Sequence, residues 1–120
     1  MIFALVTFVP YSKQVMSPAD RLALFERTAP NYQKIPGLIR KYYIGQTGRD
    51  DARAGGAYEF ETMSHAKAHF TPEWEKFMTD KYGSDLRVDY FDAPCVVDNT
   101  QNKVVMAPEL LNAVKQQAAE

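Results

Sequence analysis

The chain has one cysteine, one tryptophan and two histidines, and its charges nearly cancel. A single cysteine excludes an internal disulfide framework and a cysteine-rich zinc site, and suits a reducing, cytoplasmic setting. With 14 basic and 15 acidic residues the formal charge is −1. Nothing in that balance offers the basic surface that a phosphate backbone asks for, so nucleic acid is not an expected partner. The glycines at Gly45-Gln46-Thr47-Gly48 and Gly55-Gly56 fall short of a GxGxxG or P-loop fingerprint, which excludes nucleotide, NAD and classical flavin sites. Reduced flavin delivered by a partner, as a substrate, stays open. The most apolar run, Met1–Pro10, is too short to span a bilayer, and it lacks a basic leader and a small-residue cleavage site. Neither a membrane span nor a signal peptide is expected. Repeats at solenoid spacing and low-complexity segments are absent as well.

What is present is a core. Of 120 residues, 46% are hydrophobic, enough for one domain. Met1–Pro10 is rich in β-branched and aromatic residues and reads as a buried strand ended by proline. Tyr11–Met16 is a connection. Ser17-Pro18-Ala19-Asp20 carries a cap, a proline for the first helical position and an acid for the positive dipole end. Leu22, Phe25, Ala29 and Tyr32 then recur at helical spacing, and Pro30 is expected to kink or end the helix. After the turn Ile35-Pro36-Gly37-Leu38, the segment Leu38–Ile44 alternates as a strand. Leu38, Arg40, Tyr42 and Ile44 lie on one face; Ile39, Lys41 and Tyr43 lie on the other. Gly45–Gly55 is a loop, and Gly56–Thr62 a third strand with Tyr58 and Phe60 on one face. Ser64 caps a short helical turn through Phe70, and Thr71-Pro72-Glu73 restarts the helix. Trp74, Phe77 and Met78 form its apolar stripe, with Gly83 as its stop. Leu86–Phe91 is the fourth strand, with Leu86, Val88 and Tyr90 opposed to Arg87, Asp89 and Phe91.

The order strand, helix, strand, strand, helix, strand predicts an α+β, ferredoxin-like βαββαβ domain with a four-stranded antiparallel sheet, spanning residues 1–97. Right-handed crossovers put both helices on one sheet face. The other face, with its large residues, is an interaction surface. Two such sheets face to face would form a homodimer, a dimeric α/β barrel. Residues 98–120 form a C-terminal extension with a helix at Pro108–Ala118. It packs on its own domain or reaches across to the partner.

This pattern resembles the dimeric α/β-barrel superfamily, and within it the YdhR-like group of monooxygenases. The likeness is carried by Ile35-Pro36-Gly37-Leu38-Ile39-Arg40-Lys41-Tyr42-Tyr43, by Gly55-Gly56-Ala57-Tyr58-Glu59-Phe60, by the helix opening Thr62–Ala68 and by Leu86–Pro94. It covers roughly Phe3–Val97 and is more specific for the fold than for chemistry. The superfamily includes cofactor-free quinone-forming monooxygenases, haem-degrading enzymes, muconolactone isomerases, chlorite dismutases and stress-response proteins. What they share is a cavity between sheet and helices, so the resemblance implies a small apolar or aromatic ligand.

His65 and His69 are spaced i,i+4 on one helical face. That spacing can hold a metal, serve acid–base chemistry, or be two ordinary helix histidines. With no HExxH and no third ligand on the same helix, no metal is expected. The haem-degrading relatives use a helix histidine, but their accompanying motif has no match here, and no resident cofactor is expected. Arg40, Tyr42 and Tyr58 are strand residues whose convergence beside a cavity would hold a phenolate or enolate. Arg87 and Asp89 read as structural, paired with their neighbours, the dimer mate or Arg40. Trp74, Phe77, Met78, Tyr32 and Phe25 form the expected cavity wall, and Cys95 is an unactivated thiol. The leading expectation is a cofactor-independent monooxygenase acting on a small aromatic or polycyclic compound. A non-oxidative isomerase or cyclase in the same cavity, and a non-enzymatic dimer that binds small hydrophobic ligands, are its rivals.

Overall fold

The computed structural model describes residues 1–12 and 14–119. Lys13, inside the expected connection Tyr11–Met16, and Glu120, at the end of the expected extension, lie outside the described residues. The elements run β1 (Ile2–Pro10), α1 (Pro18–Tyr32), β2 (Leu38–Gly45), β3 (Ala54–Phe60), α2 (Met63–His69), α3 (Pro72–Lys81) and β4 (Gly83–Asp92). A hairpin, β5 (Cys95–Asp98) and β6 (Lys103–Met106), and a helix, α4 (Pro108–Ala119), follow. The main sheet has the order β2-β3-β1-β4, with every neighbouring pair antiparallel. This is the ferredoxin-like α+β fold that the element order predicts.

Strand alternation separates two faces. Ala4, Val6, Tyr58 and Phe60 point toward the helices and, with Ala66 and Phe70 from α2 and its cap, form the buried core. Trp74, Tyr32, Ile35, Leu38, Leu86, Val88 and Tyr90 pack around it. The face away from the helices carries Phe3 and Leu5, cross-strand from Phe91 and Asp89, along with Arg87, Tyr42 and Ile44. Tyr42 and Phe91 are about half exposed there, at 53% and 51%.

Several local expectations change. Strict alternation in β2 is broken because Leu38 pairs with Phe60 while Arg40 pairs with Glu59, leaving Ile39 as an extra residue. That bulge moves Leu38 onto the face of Lys41 and Tyr43, where it packs against the core. Pro30 sits inside α1, which continues to Tyr32. Its ring removes the one bond to the Glu26 carbonyl, and two residues before the helix end the turn closes with the Gln33 amide donating to the Pro30 carbonyl. The cap of α2 is Thr62, not Ser64, its hydroxyl accepting from the His65 amide at 3.2 Å. Gly83 stands at C′, directly after the α3 C-cap Tyr82, and is also the first residue of β4. A Cβ there would collide with the Val9 carbonyl oxygen, so the glycine serves close strand approach. The third strand runs Ala54–Phe60, two residues earlier at each end than the apolar pattern suggests.

The tail projects. The radius of gyration is 17.1 Å, against about 14 Å for a compact domain of this length. β5 and β6 pair only with each other, and Val97, Val104, Met106, Leu111 and Val114 are exposed. The hairpin returns to the sheet through Asp98, 3.9 Å from the Arg40 guanidinium, and α4 through Glu109, 3.3 Å from the Met1 ammonium. Among the described residues, no helix is long and apolar enough to cross a membrane.

Candidate functional site

The space between α1, α3 and the helix-facing side of the sheet is a cavity of about 740 Å³. Its floor is the centre of the sheet: Val6 from β1, Lys41 and Tyr43 from β2, Gly56 and Tyr58 from β3. Phe25 and Tyr32, seven residues apart and so on one side of α1, form one wall. Trp74, Phe77 and Met78 of α3 form the other, and His69 closes the end at the last turn of α2. Thr71 fixes where α3 begins, its hydroxyl accepting from the Trp74 amide at 3.1 Å, so the cap also places the indole. All five expected wall residues line the cavity.

The five expected polar residues divide. Tyr58 and His69 are in the cavity; His65, Arg40 and Tyr42 are not. His65 Nδ1 lies 2.8 Å from the Thr62 hydroxyl, and its ring packs against Gly37, where a Cβ would collide with the imidazole. Gly37 has φ +76°, so this turn needs glycine for both backbone and space. The two histidines therefore do not share a site. Arg40 and Tyr42 alternate onto the opposite sheet face, so they do not converge with Tyr58. Arg40 instead meets Glu59 at 3.5 Å, and Arg87 meets Asp85 at 2.9 Å.

His69 is surrounded by rings, with Phe70, Trp74, Tyr58, Phe60 and Tyr32 centroids 4.8–6.2 Å away. Among the described residues its Nε2 is buried without a hydrogen-bond partner. Burial, and then the nearby charge of Lys41, push the imidazole down to about 4, so it is neutral at physiological pH. Burial raises the Tyr58 phenol far above its ordinary value and raises Tyr32 as well. Both phenols stay protonated and remain donors.

Reading the sequence missed Lys41 and Tyr43. Lys41 lies opposite Tyr58 in the β2–β3 pairing. Its Nζ sits 3.2 Å from the Tyr32 ring centroid, 4.1 Å from that of Tyr43 and 5.0 Å from that of Tyr58. Burial lowers its ammonium to about 7. The signal was in the alternation that sets Lys41 and Tyr43 on one face of β2. What was missing was which face looks toward the helices.

Neither a protein-family model nor a curated protein matches the chain. Several solved chains are similar to it, and two of them illustrate the likeness. One is SnoaB, a cofactor-independent oxygenase from Streptomyces nogalater, at 17% identity and TM-score 0.51, covering 77% of this chain and 91% of that one. The other is a single-residue variant of the same oxygenase, at 16% identity and TM-score 0.52, covering 82% and 97%. The chain thus has the fold of SnoaB, a ferredoxin-like α+β fold.

Proposed function

We propose that the protein is a cofactor-independent monooxygenase acting on a small aromatic or polycyclic compound bound between helices and sheet. The observation that carries this reading is His69: a neutral imidazole with no hydrogen-bond partner for its Nε2 among the described residues, at the end of an aromatic cavity. A substrate with an activated methylene loses a proton to the His69 imidazole, and the carbanion, delocalised as an enolate, reacts with dioxygen. In the balanced reaction one methylene and one dioxygen give one ketone and one water. The carbon is oxidised by four electrons, and dioxygen supplies both the ketone oxygen and the water oxygen. Tyr32 and Tyr58, kept protonated by burial, donate to the developing oxyanion. Trp74, Phe77 and Met78 hold the ring system and displace water. Support also comes from the fold shared with an oxygenase that needs no cofactor.

The working unit in this reading is a homodimer formed through the exposed sheet faces and the C-terminal extension. The half-exposed Tyr42 and Phe91, and the apolar residues left open on β5, β6 and α4, support it.

The test is oxygen uptake with activated polycyclic phenols, without added flavin or metal. His69→Gln is expected to lower the rate by about 100-fold or more, the usual worth of a positioned base. Substrates that bind and are consumed without oxygen uptake would place an isomerase or cyclase in the cavity instead. Binding with no turnover under any condition would leave a ligand-binding dimer.

A further inference from the structure

We infer that the cavity selects an aromatic acid, bound as its anion with the negative oxygen at Lys41 Nζ. This deepens the reading above by naming the substrate class of the same cavity. The shared chemistry is an anionic oxygen on a ring, and a carboxylate or a phenolate supplies it equally.

Two observations carry it. The first is charge. The chain has 15 acidic residues and a formal charge of −1, yet among the described residues the cavity lining includes Arg21, Arg27, Lys41 and Lys81 and no carboxylate. Arg21 and Arg27 on α1 and Lys81 on α3 are exposed at the mouth, where they raise the local concentration of anions. The second is the state of Lys41 itself. It is half-buried on the cavity floor and, among the described residues, makes no salt bridge. Its Nζ faces the rings of Tyr32, Tyr43 and Tyr58, which attract a cation but do not neutralise it. Gly56 leaves the room this side chain takes, since a Cβ there would stand 3.2 Å from Lys41 Cε and 2.8 Å from Tyr58 Cε2. A desolvated ammonium without a counter-ion is costly, and a ligand anion supplies the missing partner.

Occupancy also acts on His69. Lys41 is one of the two causes that hold the imidazole low. An anion at Nζ cancels that contribution, so His69 becomes a stronger base when the correct ligand is bound.

The experiment is binding under nitrogen, which keeps it independent of any oxygenase activity. 2-Naphthoate and neutral 2-naphthamide are titrated against Trp74 fluorescence, and 4-nitrophenol against 4-nitroanisole by absorbance and calorimetry. Naphthoate is expected to bind at least about tenfold more tightly than naphthamide near pH 6.5, and 4-nitrophenol, which ionises only near neutrality, more tightly than 4-nitroanisole near pH 7. The groups facing Lys41 are Tyr32 from α1, Tyr43 from β2, Tyr58 from β3 and His69 from α2, and His69 titrates near 4. The Lys41 proton therefore dominates the window above pH 7. Naphthoate affinity in the wild type is expected to fall by about tenfold per pH unit there, and to be flat in Lys41→Met. Equal binding of acid and amide, or a naphthoate affinity with no pH dependence in the wild type, overturns the inference even if Lys41→Met fails to fold. A preference for the anion together with no oxygen uptake would keep this site and sink the oxygenase.

Discussion

Lys41 and His69 have opposite formal roles in the proposed chemistry, but they make the same demand on stability. Each has its protonation constant lowered by folding, Lys41 to about 7 and His69 to about 4. The unfolded chain then holds protons more tightly than the native one. Stability contributed by these groups is present at high pH and declines as pH falls, for Lys41 between about 10.5 and 7 and for His69 between about 6.5 and 4. Lys41→Met is therefore expected to raise the urea midpoint at pH 7 relative to wild type, with the gain vanishing above pH 10.5. A binding residue whose removal stabilises the fold is the usual mark of a site kept for function. Phe60, fully buried in the core that joins β3 to α2, is the contrasting case. Phe60→Ala should cost about 3–5 kcal/mol in equilibrium unfolding, through lost transfer and a residual cavity.

At the scale of elements, the cavity depends on where α3 starts and on how closely β4 lies beside β1. Thr71 caps α3 and fixes Trp74 in the same bond. Thr71→Ala is expected to cost about 1 kcal/mol of stability and to red-shift Trp74 emission as the first turn of α3 frays. Gly83 lets β4 approach β1 closely enough for α3 to lie over the sheet. Gly83→Ala must push the backbone of Val9 away, and should lower the urea midpoint by the equivalent of about 2 kcal/mol. Arg53 works at the same end of the sheet. Its guanidinium donates to the Thr7 hydroxyl at 3.0 Å and meets Asp85 at 3.0 Å, tying the start of β3 to β1 and β4.

The whole molecule carries a tail that one copy does not bury. In the proposed homodimer the half-exposed Phe91 and Tyr42 are covered by the partner's sheet, and the apolar side of α4 by the partner or its tail. Light scattering after size exclusion should give a mass of about twice the 13.6 kDa of one chain. Phe91→Asp should shift that mass toward the monomer, because a carboxylate would be desolvated between two apolar sheets. A monomer at all accessible concentrations would refute the assembly and leave the cavity untouched.

Much of this architecture is legible in local chemistry. The apolar run Met1–Pro10, the Ser17-Pro18 and Thr71-Pro72 helix openings and the strand patterns of Leu38–Ile44, Gly56–Thr62 and Leu86–Phe91 depend on neighbours in the chain, and they suffice for βαββαβ. Phe25, Tyr32, Trp74, Phe77 and Met78 lie on apolar stripes that helical spacing marks, but the same spacing marks Leu22, which is exposed and outside the cavity. What spacing does not carry is which face of a strand meets the helices, and that decides the polar half of the site. Arg40 and Lys41 are adjacent and both basic, and no local rule separates them. The β2–β3 register and the bulge at Ile39 put Lys41 under α1, beside Tyr32, and Arg40 on the far side, beside Glu59 and Asp98. The same holds for His65 and His69: one is bound into its own helix start and the other is buried among rings. Sequence determined the elements because backbone preference and amphipathicity are local. Only the tertiary structure decided which charges lose their water, because desolvation depends on every element that packs around a group.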